Sequence, residues 1–199
     1  MKGDAKVIAI LNEVLKAELT AINQYFLHAE MCENWGYERM AKHTRKESIE
    51  EMQHAEKLME RILLLDGAPN MTDYFKINIG QTLKQQLEND LQLEYTAVKR
   101  LNDGIKASVA AGDNGSRELM EKILLDEEHH IDWLEGQLHA IEEMTYENCL
   151  AQQLHQSEES KNGGLTIEVS PLSCHPTCHL SCHPDEVRDL HFAGNPQHC

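Results

Sequence analysis

Glu50-Glu51-Met52-Gln53-His54-Ala55-Glu56 lies inside a long amphipathic segment, yet two of its polar residues stand on the apolar stripe: Glu51 is seven residues before Leu58 and His54 is four before it. Asp126-Glu127-Glu128-His129-His130 repeats the arrangement, with Glu127 and His130 interrupting a stripe of Met120, Ile123, Leu134, Leu138 and Ile141. A Glu-x-x-His pair sends both side chains from one helix face a turn apart. Two further carboxylates are misplaced in the same way. Glu18 lies four residues after Val14 and four before Ile22, and Glu94 lies seven after Leu87 and four before Val98. An ionised carboxylate removed from water costs several kcal/mol unless it is paired. No Lys or Arg falls on these stripes at the same level, so the positive partner must come from outside the chain. Two divalent cations would satisfy four carboxylates and two imidazoles, and mixed oxygen and imidazole ligation suits iron or manganese and accepts zinc.

Spacing supports the grouping. Glu18, Glu51 and His54 recur 76 positions later as Glu94, Glu127 and His130; Thr20-Ala21 falls on Thr96-Ala97, Ile49-Glu50 on Leu125-Asp126 and Leu58 on Leu134. The two halves read as a duplicated helical hairpin. One Glu-x-x-His pair in so acidic a chain is weak evidence, but two of them, each 33 residues after a core-facing Glu, are much harder to reach by accident.

Around these residues the 3.6-residue period predicts four helices: Asp4 to Asn34, Tyr37 to Asp66, about Thr82 to Ala111, and one to about Thr145, with a short fifth over Tyr146 to Gln156. Asp4 is expected to cap the first, Gly67-Ala68-Pro69 to stop the second, and Ser116 to cap the fourth. Helices of about thirty residues are roughly 45 Å long at 1.5 Å per residue. Short turns inside each pair and a connection of about fifteen residues over 67–81 predict an all-α four-helix bundle with one long crossover.

Composition sets the limits. The chain carries 34 acidic against 18 basic residues, and without residues 159–199 the balance is still 29 against 16. Such an excess argues against nucleic acid. Val7-Ile8-Ala9-Ile10-Leu11 is cut by Asn12 and Glu13 before a signal-peptide core could form, and nothing approaches the roughly 18 apolar residues of a membrane span. A cytoplasmic address with reduced cysteines and no membrane partner is the expectation. Residues 1–158 read as the bundle domain. Residues 159–199, opened by Gly163-Gly164 and holding four of the five prolines, read as a flexible Cys/His-rich tail. Its three imperfect units beginning Cys174-His175, Cys178-His179 and Cys182-His183 match no paired C-x-x-C site, and C-x-x-x-C-H over Cys174 to His179 is one residue longer than a covalent haem motif; they leave an extension with no defined site, opportunistic capture of soft or borderline metals or, least favoured, covalent haem.

Ala17-Glu18-Leu19-Thr20-Ala21-Ile22-Asn23-Gln24-Tyr25-Phe26, together with the two Glu-x-x-His stretches, resembles bacterioferritin over about residues 1–158. The resemblance implies a ferritin-like fold and a ferroxidase that stores and detoxifies iron in a shell of 24 subunits. In it Glu51 and Glu127 would bridge two irons, with Glu18 and His54 completing one and Glu94 and His130 the other, and O2 or H2O2 as oxidant. It also implies haem b held by Met52 and a second copy's Met52 across a two-fold axis, lined by Leu19, Asn23, Phe26, Arg45 and Ile49, with a small ferredoxin as electron donor for iron release. Spacing alone turns Met52 about 100° from the metal stripe, where it also reads as an ordinary subunit-contact Met. Tyr25, seven residues after Glu18, faces the same core level; it reads equally as an electron source and as a core Tyr with a satisfied hydroxyl. Trp35 and Trp133 read as packing residues. One departure counts against an inner-surface iron site found in some members, since the His and Asp expected there are Lys46 and Glu50. A competing expectation is a haem-binding or structural subunit of a mixed shell with little turnover. A rubrerythrin-like peroxidase fits less well, because the tail lacks iron-binding C-x-x-C pairs.

Overall fold

A computed structural model of the chain describes residues 1–154, which lie within one compact unit spanning Met1–Ser157. The Cys/His-rich segment and the rest of 159–199 lie outside the described residues. Five helices follow in order: α1 (Ala5–Asn34), α2 (Glu38–Leu64), α3 (Leu83–Ala110), α4 (Asn114–Met144) and α5 (Tyr146–Ala151). α1 packs along α2 and α3 along α4, and the two hairpins close on each other chiefly through α1 and α3. None of these helices is long and apolar enough to cross a membrane.

Local chemistry sets the helix ends. Asp4 accepts from the backbone N–H groups of Lys6 and Val7, and Thr82 accepts from Gln85. Ser116 does not cap α4. Asp113 stands at the N-cap and accepts from the backbone N–H and hydroxyl of Ser116, because its longer carboxylate serves both donors while also meeting Arg61. At the end of α2 the left-handed residue is Asp66 (φ 59°), not Gly67. Gly67 follows it, and its N–H closes onto Ile62 O at 2.9 Å. Glycine is required there by space, since a Cβ would sit 2.8 Å from the Ile8 side chain. α5 ends at Ala151, short of Gln156, as Gln152 and Gln153 N–H tighten onto the carbonyls three residues back.

The crossover over 65–82 is a strap without helix, and α1 supplies its missing hydrogen bonds. Asn70 N donates to Asn12 Oδ1, Phe75 N to Thr20 Oγ1, Asn78 N to Gln24 Oε1 and Gly80 N to His28 Nε2. The partners climb α1 from residue 12 to 28, about 24 Å at 1.5 Å per residue, so the strap returns the chain along the bundle. Gln24 and His28 are themselves held by Asp90 of α3, at 2.8 and 2.9 Å. Two apolar clusters bracket the bundle centre. One joins Leu11, Leu15, Leu58, Ile62, Leu101 and Met120, and the other joins Cys32, Met40, Leu83, Leu87 and Leu134. The polar level between them holds the candidate site.

Candidate metal centre

Each of the four long helices contributes to the level between the clusters: Glu18 from α1, Glu51 and His54 from α2, Glu94 from α3, Glu127 and His130 from α4. None of the six is more than 9% exposed. They form two compact groups, Glu18–Glu51–His54–Glu127 and Glu51–Glu94–Glu127–His130, whose donor atoms lie within 4.8 Å of one another in each group. Glu51 and Glu127 belong to both.

Each imidazole turns Nδ1 into this centre. His54 Nδ1 is 3.2 Å from Glu51, 3.4 Å from Glu127 and 3.6 Å from Glu18. His130 Nδ1 is 3.1 Å from Glu127, 3.3 Å from Glu51 and 3.7 Å from Glu94. Glu51 Oε1 and Glu127 Oε1 in the centre, and Glu47 Oε2 behind His130, are buried without a well-formed hydrogen bond. Buried oxygens of this kind call for a charge partner. Oxygen and imidazole donors in two overlapping sets, with two orphaned carboxylate oxygens, fit a pair of divalent cations of the iron or manganese class.

Protons gather in this centre. Burial and then the neighbouring Glu51 push the Glu18 carboxyl up to about 8. Burial and Glu127 raise Glu94 well above the usual carboxylate range. Burial opposes charge on the imidazoles, yet Glu127, Glu18 and Glu51 hold His54 far above its ordinary value, and Glu127, Glu47 and Glu51 do the same for His130. Tyr25 is buried and its hydroxyl donates to Glu94; burial and that carboxylate keep its proton bound to high pH.

Beside the centre a cavity of about 260 Å³ is bordered by Tyr25, Glu47, Glu50, Asp126, His130 and Trp133. Trp133, expected only to pack, forms its wall and stacks on His43 with ring centroids 3.6 Å apart. Its ring is long enough to serve both packing and cavity lining, a double use that spacing does not reveal. Two carboxylates behind the histidines were missed by sequence reasoning. Glu47 stands four residues before Glu51 and seven before His54, so the stripe test that found those two would also have found it. Asp126 is half exposed and left no such signal.

Met52 lies on the outside of α2, 54% exposed and one helical turn from the exposed Ile49; Phe26 of α1 is exposed as well. Arg45 crosses over the Phe26 ring while pairing with Glu30 and Glu33. Leu19 is buried in the same apolar cluster as Ala55 and Leu58. At the inner-surface position Lys46 Nζ holds Glu50 at 2.6 Å.

Known proteins resemble this chain over most of its length. Residues 8–144 match the ferritin-like domain. The chain is 51% identical over 152 residues to the bacterioferritin of Mycobacterium bovis, covering 76% of this chain and 96% of that one. It is 47% identical over 163 residues to the bacterioferritin of Streptomyces coelicolor, covering 82% and 98%, and 47% identical over 138 residues to that of Brucella melitensis, covering 69% and 86%. The helical bundle, its crossover strap and these relatives together make the chain a member of the bacterioferritin family.

Proposed function

We propose that this chain stores iron and renders it harmless by oxidising ferrous iron at the buried centre, acting as a ferroxidase. The observation that carries the reading is the sharing of Glu51 and Glu127 between two donor groups, each completed by one further Glu and one His. Ferrous iron is the substrate. Glu18 and His54 take one ion, Glu94 and His130 the other, and the shared carboxylates span both. Two ferrous ions give up one electron each; with two protons these convert one H2O2 to two waters, or one O2 to H2O2. Protons held by Glu18, Glu94 and the imidazoles leave as cations arrive, so loading exchanges protons for metal. Tyr25, whose hydroxyl donates to Glu94, stands beside the centre as a candidate electron source when fewer than two ferrous ions meet the oxidant, supplying it the missing electron with its phenolic proton.

An exposed thioether among apolar side chains would suit a haem held through sulfur. Met52 would hold haem b with a second copy's Met52, and the group when bound would carry electrons from a small ferredoxin toward stored ferric iron. A shell of 24 copies with the mineral inside completes the reading, and all six ligands being present favours turnover over a merely structural subunit. The test adds two ferrous ions per metal-free subunit in air and follows ferric absorbance. Glu94→Ala is expected to lose the fast phase, and an equal fast phase in both proteins would overturn the centre.

A further inference from the structure

The ring nitrogen of each histidine that faces away from the centre meets another carboxylate. His54 Nε2 is 3.2 Å from Asp126 Oδ2, and His130 Nε2 is 2.6 Å from Glu47 Oε2. The duplication leads one to expect otherwise for His130. Asp126 minus 76 is Glu50, whereas Glu47 plus 76 is Ile123, a core residue. Glu50 is nearby but not in that place: one of its oxygens lies within 4.8 Å of the Glu47 and His130 donor atoms. Lys46 Nζ holds it at 2.6 Å and leaves it half exposed, whereas Glu47, one turn before Glu51, is 6% exposed and meets the same ammonium only at 3.7 Å, through the oxygen that does not face His130.

We infer that Glu47 is the positioning residue of His130, and that Lys46 is what keeps Glu50 out of that place. The inference rests on the di-metal reading of the centre. With Nε2 2.6 Å from Glu47 Oε2, a buried oxygen with no other polar partner, the ring presents its Nδ1 lone pair inward, and rotation would break that close contact with a charged acceptor. Asp126 does the same for His54 with a side chain 51% exposed, where water competes for the bond. The two half-sites are therefore unequal: the Glu94–His130 side is held from a dry position and the Glu18–His54 side from a wet one.

Cobalt(II) titration of the metal-free full chain tests this, with the ligand-field absorption of the bound ion as readout. Wild type is expected to take two Co2+ per subunit. Glu47→Gln should keep one and weaken the other by roughly ten- to a hundredfold, and Glu50→Gln should change neither. Adding Lys46→Met to Glu47→Gln frees Glu50 to reach His130 and should restore part of the lost affinity, which a purely structural role for Glu47 would not allow. Two equally tight ions in Glu47→Gln, or no recovery in the double variant, overturns the assignment while leaving the centre intact. A wild type that takes up no Co2+ overturns the di-metal reading and this inference with it.

Discussion

Glu18 holds its carboxyl proton up to about pH 8 because burial, and after it Glu51, penalise its charge. Between the unfolded value of about 4.5 and that of the fold, the folded chain binds more protons than the unfolded one, so this group's contribution weakens as pH rises across the window. His54 and His130, raised above 6.5, stabilise fully below that value and progressively less above it. Glu47, held down through His130 against the effect of burial, opposes only on acidification below about 4.5. The metal-free protein should therefore lose thermal stability from about pH 5 to 8, and the stabilisation by added Co2+ should grow over the same range. Melting curves with and without the ion check this, and a metal-induced gain that shrinks toward pH 8 contradicts it. At the outer face, a Met52→Leu shell should assemble without haem; a bis-thioether absorption spectrum in that variant would remove Met52 from the role.

Among elements, the strap depends on α1 more than on itself. Removing His28 deprives Gly80 N–H of its acceptor and leaves buried Asp90 with Gln24 alone, so His28→Ala should cost about 3 kcal/mol. Asn12→Ala removes bonds to exposed strap residues and should cost about 1 kcal/mol. Melting temperatures at matched subunit concentration should rank the two in that order, and equal losses would show that the strap is held elsewhere. Much at this scale was legible in the chain. Val7, Leu11, Leu58 and Ile62 announce their helices by period, and Asp4 announces its cap. Ser116 misled because Asp113, three residues earlier, is the better acceptor and also meets Arg61, a partner 52 residues away in sequence.

For the whole molecule, residues 1–158 are proposed to be sufficient for assembly and oxidation. Truncation after Ser160 should leave the sedimentation of the shell and the fast ferric phase unchanged, and failure to assemble would move the domain boundary. The chain by itself determined four amphipathic helices, a 76-residue duplication and six candidate ligands on apolar stripes, because each of these is a spacing along one strand of covalent structure. Tertiary packing decided which carboxylates are shared by both donor groups, how the strap climbs α1, and that Glu47 stands behind His130 where the duplication offers Glu50. Distances between helices, and the closer hold of Lys46 on Glu50 than on Glu47, arise only when separate faces are pressed into one core, and no period along the sequence records them.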